Sequence, residues 1–118
     1  MARILIVDDS LLARHSPSNI IRDLGHETAT AENGQQGLDL VLKETFDAVL
    51  IDLMMPVMDG VGFLRALKEH RIELPTVILS ADIQETKRQE CLSLGARAFL
   101  EKPGTAQKIS RMLDELLA

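Results

Sequence analysis

The chain has 118 residues, enough for one domain with one core and too few for two. With 13 basic and 18 acidic residues the net charge is −5, which argues against direct binding of nucleic acid, and with three Phe and no Trp or Tyr it offers little surface for stacking a base or a flavin. No apolar run approaches the roughly 20 residues that span a bilayer, so no membrane segment is expected.

The first predicted strand is Ile4 to Val7, directly followed by Asp8 and Asp9. Met1-Ala2-Arg3 leads straight into it and leaves no room for a signal peptide. Pro17 falls inside the expected first helix, which it either kinks or restarts with Ser16 as cap. A weak strand follows at Glu27 to Thr30, then a boundary at Asn33-Gly34 and a helix with Leu38, Val41 and Leu42 on one face. Ala48 to Ile51 is a second strongly apolar strand and ends in Asp52. Leu53-Met54-Met55-Pro56 then reads as a loop, Asp59-Gly60 as a helix start, and Leu64 and Leu67 as that helix's inner face.

Thr76 to Leu79 is the fourth strand, with Ser80 at its end. Cys91 and Leu94 share an apolar face, which makes Cys91 a core residue rather than a nucleophile. A lone cysteine forms no internal disulfide and suits a reducing compartment; the cytoplasm is expected. Leu94-Gly95 marks another boundary, Ala98 to Leu100 is the fifth strand, and Lys102-Pro103 follows. Thr105 caps a final helix with Ile109, Met112, Leu113 and Leu116 inward. His15, His26 and His70 have no metal-ligand spacing and read as surface residues, and Met54, Met55 and Met58 as loop packing.

Five strands alternating with five helices give an α/β, doubly wound fold with a parallel sheet buried on both faces. Ligands on such sheets sit beyond the carboxyl ends of the strands. Asp8, Asp9, Asp52, Ser80 and Lys102 all fall at that edge. Crowded carboxylates repel one another, so the three acids point to a hard divalent cation such as Mg²⁺. Capping the first helix needs one acid, not two. Asp52 can attack phosphorus and carry the group as an acyl phosphate. Lys102 supplies a point charge for a phosphoryl oxygen, and Ser80 a hydrogen-bond donor. Such a bond would draw the Ser80 loop inward only when phosphate is present.

Ile6-Val7-Asp8-Asp9-Ser10, Asp52 through Gly60, Leu79-Ser80-Ala81, Gly95-Ala96 and Lys102-Pro103 together resemble the receiver domain of two-component response regulators. The resemblance runs from about Ile4 to the C-terminus, and residues 1–118 are expected to form one receiver domain. It implies a flavodoxin-like, five-stranded parallel sheet in the order 2-1-3-4-5 with five helices. It implies that Asp52 is the phosphoacceptor and that a sensor histidine kinase or a histidine phosphotransfer protein is the donor. By the same resemblance Asp8, Asp9, Asp52 and the backbone carbonyl of Met54 hold Mg²⁺, and Ser80 and Lys102 contact the phosphoryl group. Phe99 matches the aromatic that turns inward on switching, and the fourth helix, fifth strand and fifth helix form the output face toward an unnamed effector.

Three residues depart from the pattern. Gly104 stands where a bulky apolar residue is often found, which would loosen that corner. Phe99 lacks the hydroxyl of a tyrosine, and Pro17 disturbs the first helix, a surface many receivers use for docking the donor. Met54 and Asp82 flank the site and are expected to influence acyl-phosphate lifetime. The competing reading is a Mg²⁺-dependent phosphohydrolase with an aspartyl-phosphate intermediate. That class wants a second acid two residues after its nucleophile, where this chain has Met54 after Asp52 and Ser10 after Asp8. A degenerate receiver acting only in docking is disfavoured by the full set of acids, hydroxyl and lysine.

Overall fold

The computed structural model describes residues 1–81 and 84–117, so Asp82 and the expectation attached to it lie outside the described residues. Its elements alternate along the chain: β1 (Arg3–Val7), α1 (Leu11–Asp23), β2 (Glu27–Ala31), α2 (Gly34–Lys43) and β3 (Ala48–Asp52). Then come α3 (Gly60–Glu69), β4 (Thr76–Ser80), α4 (Glu85–Ser93), β5 (Ala98–Glu101) and α5 (Ala106–Leu116). The strands pair in parallel in the order β2-β1-β3-β4-β5, as the resemblance implies.

Successive side chains of a strand point to opposite faces, so each apolar strand feeds two cores. Leu5, Val7, Val49, Ile51 and Ile78 pack with Leu38, Phe63, Leu64, Leu67 and Cys91 on the α2–α3–α4 side. Ile4, Ile6, Leu50, Val77 and Leu79 pack with Ile21, Ile109, Met112 and Leu113 on the α1–α5 side. Burying both faces of β1, β3 and β4 fixes where these strands stop. Each of them ends in or just before a polar residue, so the polar groups collect at one edge.

Side-chain caps set four helix starts. Ser10, Asn33, Asp59 and Thr105 each accept a hydrogen bond from the backbone N–H three residues on. Helix α1 is a single helix that starts from Ser10, so the restart at Ser16 does not occur; buried Pro17 sits within it. Leu42 is 52% exposed, because it lies on the last turn of α2, past the flank of the buried stripe. His15 and His70 are exposed, but His26 is half-buried and its Nδ1 accepts the Ala2 N–H at 2.9 Å.

At the Gly104 corner the backbone lies close against core side chains. A Cβ there would lie 3.0 Å from Leu79 Cδ2 and 3.4 Å from Ile109 Cδ1, so core side chains already occupy the space. The Lys102–Pro103 peptide bond is cis. Among the described residues no helix is long and apolar enough to cross a membrane.

Candidate functional site

Parallel register gathers the site from residues distant in sequence. Val7 lies beside Ile51, which brings Asp8, just past β1, next to Asp52 at the end of β3. Asp52 lies opposite Leu79, so Ser80 is one residue further along the neighbouring strand. Ser80 in turn faces Glu101, and the Lys102 N–H donates to the Ser80 carbonyl at 2.8 Å.

The side chains then meet. One carboxylate oxygen from each of Asp8, Asp9 and Asp52 lies within 4.8 Å of the others. Asp8 is buried, Asp52 half-buried and Asp9 exposed. Lys102 Nζ donates to Asp8 Oδ2 at 2.9 Å and lies 3.4 Å from Asp52 Oδ2. Asp8 Oδ1 accepts the Ser10 N–H at 3.0 Å, so both oxygens of the buried acid are engaged.

The electrostatics follow from this crowding. Burial raises the Asp52 carboxyl above its ordinary value; the Lys102 charge opposes this and the Asp8 charge adds to it. The nearby Met54 backbone amide has a smaller effect that favours the charged form. Burial alone would lower Lys102, but its hydrogen bond to Asp8 and the Asp52 charge outweigh that and raise it. Three oxygen-bearing acids, one of them open to solvent, form a hard-ligand set suited to Mg²⁺ and unsuited to soft metals.

Ser80 is 1% exposed. Phe99 is half-buried, opposite Ile78, and packs on the α2–α3–α4 side of the sheet. The Met54 side chain is 60% exposed. Cys91 is fully buried, and burial raises its thiol.

Three contributors escape a sequence reading. Arg14 Nη1 donates to the Asp8 carbonyl at 2.8 Å. Lys108 Nζ donates to the carbonyls of Glu101 and Pro103 at 3.0 and 3.2 Å, bracing the loop that carries Lys102. Gly60 lets α3 begin against the end of β3: a Cβ there would lie 2.9 Å from the Asp52 carbonyl oxygen and 3.0 Å from Leu53 Cα. Asp59-Gly60 is visible in the sequence as a boundary, but its role behind Asp52 is not. Contacts to backbone carbonyls carry no residue-type signature at all.

The family model of the response regulator receiver domain matches residues 4–114. The chain belongs to that family. It is 35% identical over 118 residues to the sensory/regulatory protein RpfC of Xanthomonas campestris pv. campestris, covering 97% of this chain but 16% of that protein. It is 34% identical over 120 residues to the protein PilH of Pseudomonas aeruginosa, covering 100% of this chain and 99% of that one. The chain therefore spans about a sixth of one relative and nearly all of another. Among solved structures, the chemotaxis protein CheY4 of Vibrio cholerae superposes with TM-score 0.92 at 32% identity, covering 98% of each chain. The Francisella response regulator 1452 receiver domain gives TM-score 0.92 at 28% identity, covering 98% of this chain and 96% of that one. The chain is a phosphorylation-activated receiver of two-component signalling, and the Asp8, Asp9 and Asp52 cluster fits the phosphoacceptor site of such a domain. Receiver domains are signalling modules that bind Mg²⁺ at an acidic aspartate cluster, and they work with histidine kinases or phosphotransfer proteins.

Proposed function

We propose that residues 1–118 act as one receiver domain that takes a phosphoryl group onto Asp52 from a phosphohistidine of a sensor kinase or phosphotransfer protein. The observation that carries this reading is Lys102 Nζ held between Asp8 and Asp52, beside three converging carboxylates. An Asp52 carboxylate oxygen attacks phosphorus and the P–N bond to the donor imidazole breaks. The electron pair stays on the ring nitrogen, and an acyl phosphate remains on Asp52. Asp8, Asp9, Asp52 and the Met54 carbonyl would hold Mg²⁺, which when bound offsets the repulsion between these acids and the phosphoryl oxygens.

The chain's own residues do the rest. Lys102 sits on a loop braced by Lys108, and its ammonium is 3.4 Å from the attacking carboxylate, within reach of a phosphoryl oxygen. The Ser80 hydroxyl donates to a second phosphoryl oxygen and draws its loop inward. Phe99, two register steps before Glu101 on β5, follows that movement and alters the face made by α4, β5 and α5. An effector protein reads that face. The lone buried Cys91 fits a cytoplasmic protein.

The phosphohydrolase alternative needs an acid two residues after Asp52 to protonate a leaving group, and Met54, a side chain without an ionisable group, stands there. We therefore assign a phosphoacceptor role without turnover of external phosphate esters. Acetyl phosphate with Mg²⁺ should label the wild type, and Asp52→Asn should abolish the label while keeping the circular dichroism spectrum. Labelling that persists at another residue overturns the assignment, and steady hydrolysis of generic phosphate esters favours the alternative.

A further inference from the structure

We propose that Arg14 is a positioning residue for the acidic metal site, acting through the Asp8–Asp9 peptide. This inference rests on the receiver reading above. Every other polar group of Asp8 is fixed from elsewhere: its N–H donates to the Ala31 carbonyl at 3.1 Å, Oδ1 accepts the Ser10 N–H, and Oδ2 accepts Lys102. The Asp8 carbonyl belongs to the peptide that leads into Asp9, and Arg14 Nη1 donates to it at 2.8 Å from the first turn of α1. Arg14 is half-buried and its own N–H is bonded to the Ser10 carbonyl at 3.0 Å, so the guanidinium starts from an anchored backbone.

Rotation of the Asp8–Asp9 peptide would swing the exposed Asp9 carboxylate away from Asp8 and Asp52. The carbonyl clamp prevents this and keeps the three donor oxygens within 4.8 Å. A planar guanidinium holds such an acceptor with more directional constraint than an ammonium does. The same group is a cation close to a cation site. Electrostatics alone would therefore make Arg14 an opponent of metal binding, and its removal would tighten the site. Positioning makes the opposite forecast, so the sign of the effect decides between them.

The chain has no Trp or Tyr, so the measurement is titration calorimetry of the metal-free protein with Mg²⁺. Arg14→Ala should weaken Mg²⁺ binding about tenfold, the usual scale for losing a group that orients a metal ligand. Arg14→Lys, which keeps a donor of similar reach, should recover to within about threefold of wild type. Unchanged or tighter binding by Arg14→Ala overturns the proposal. So does an Arg14→Lys variant no better than alanine, since the loss is then a general disturbance of the turn. If Arg14→Ala does not fold, Arg14→Gln takes its place in the same comparison with the same criteria. Wild-type protein that binds no Mg²⁺ refutes the receiver-site reading itself, which separates that failure from a failure confined to Arg14.

Discussion

Lys102→Ala tests whether one ammonium is what makes three crowded carboxylates tolerable without metal. Lys102 Nζ is 2.9 Å from Asp8 and 3.4 Å from Asp52, and the side chains of these acids are 7% and 11% exposed. Removing one partner of a buried ion pair costs about 3–5 kcal/mol. The Lys102 side chain is itself 27% exposed, and water can enter where it stood, so about 2 kcal/mol is the expected loss in EDTA. For a chain of 118 residues that corresponds to a fall in melting temperature of about 6–10 °C. Added Mg²⁺ supplies two positive charges to the same carboxylates and should shrink the deficit to less than about 1 kcal/mol. Thermal unfolding followed by circular dichroism near neutral pH, with EDTA and then with Mg²⁺, reads both numbers. Lys102→Met keeps most of the aliphatic stem and removes only the charge, so it should show the same Mg²⁺-dependent component. A deficit of equal size in EDTA and in Mg²⁺ would refute the reasoning, because Lys102 would then stabilise by packing and not by neutralising the acids.

Burial raises the Asp52 carboxyl in the fold, so its contribution to stability in EDTA is fully present below the unfolded carboxylate range and is lost as pH rises through the folded value. Asp52→Asn removes that slope: in EDTA it should melt a few degrees above wild type near neutral pH, with the gap closing as pH falls toward the carboxylate range, and a variant less stable at neutral pH contradicts the sign. Val57 has φ of 69° in a tight turn where the Met58 N–H donates to the Pro56 carbonyl at 2.8 Å, and its side chain is exposed. Relief of strain of about 1–3 kcal/mol, less about 0.5–1 kcal/mol for added chain freedom, leaves Val57→Gly more stable by about 1 kcal/mol. Denaturant unfolding measures it, and a loss of stability would mean that the Val57 backbone is not strained.

The sequence discloses the strands because an apolar strand buried on both faces leaves an unbroken run of aliphatic residues, as at Ala48 to Ile51. It discloses the acids because residues directly after such runs fall at the carboxyl edge of the sheet, and it discloses Lys102 because it comes two residues after Ala98 to Leu100. Helix faces are less legible where a helix runs past the sheet, and Leu42 shows this. Cap choice at α1 is ambiguous because Ser10 and Ser16 are both good caps, and proline is tolerated either at a helix start or, at a cost, inside it. At Gly104 the sequence shows only that a side chain is absent; that Leu79 and Ile109 lie close to where a Cβ would stand is visible only in the fold.

What pattern could not supply is the pairing within the edge. Lys102 is 94 residues from Asp8 in sequence, and β4 and β3 lie between their strands. Their contact follows from the length of the lysine stem and from the anchoring of its own N–H to the Ser80 carbonyl, the strand end that also carries the hydroxyl proposed to hydrogen-bond a phosphoryl oxygen. Lys102 thus has its backbone tied to the Ser80 segment and its charge tied to the acids. Under the proposed assignment, a phosphoryl group arriving at Asp52 would compete for that charge. Any shift of the ammonium toward it would be absorbed along the stem or passed into the backbone, through the Lys102–Ser80 hydrogen bond to β4 and along the chain to β5. Along the chain Phe99 lies only three residues before Lys102, so β5 itself is the more direct path to the edge strand, and the Lys102–Ser80 hydrogen bond couples the same movement to β4.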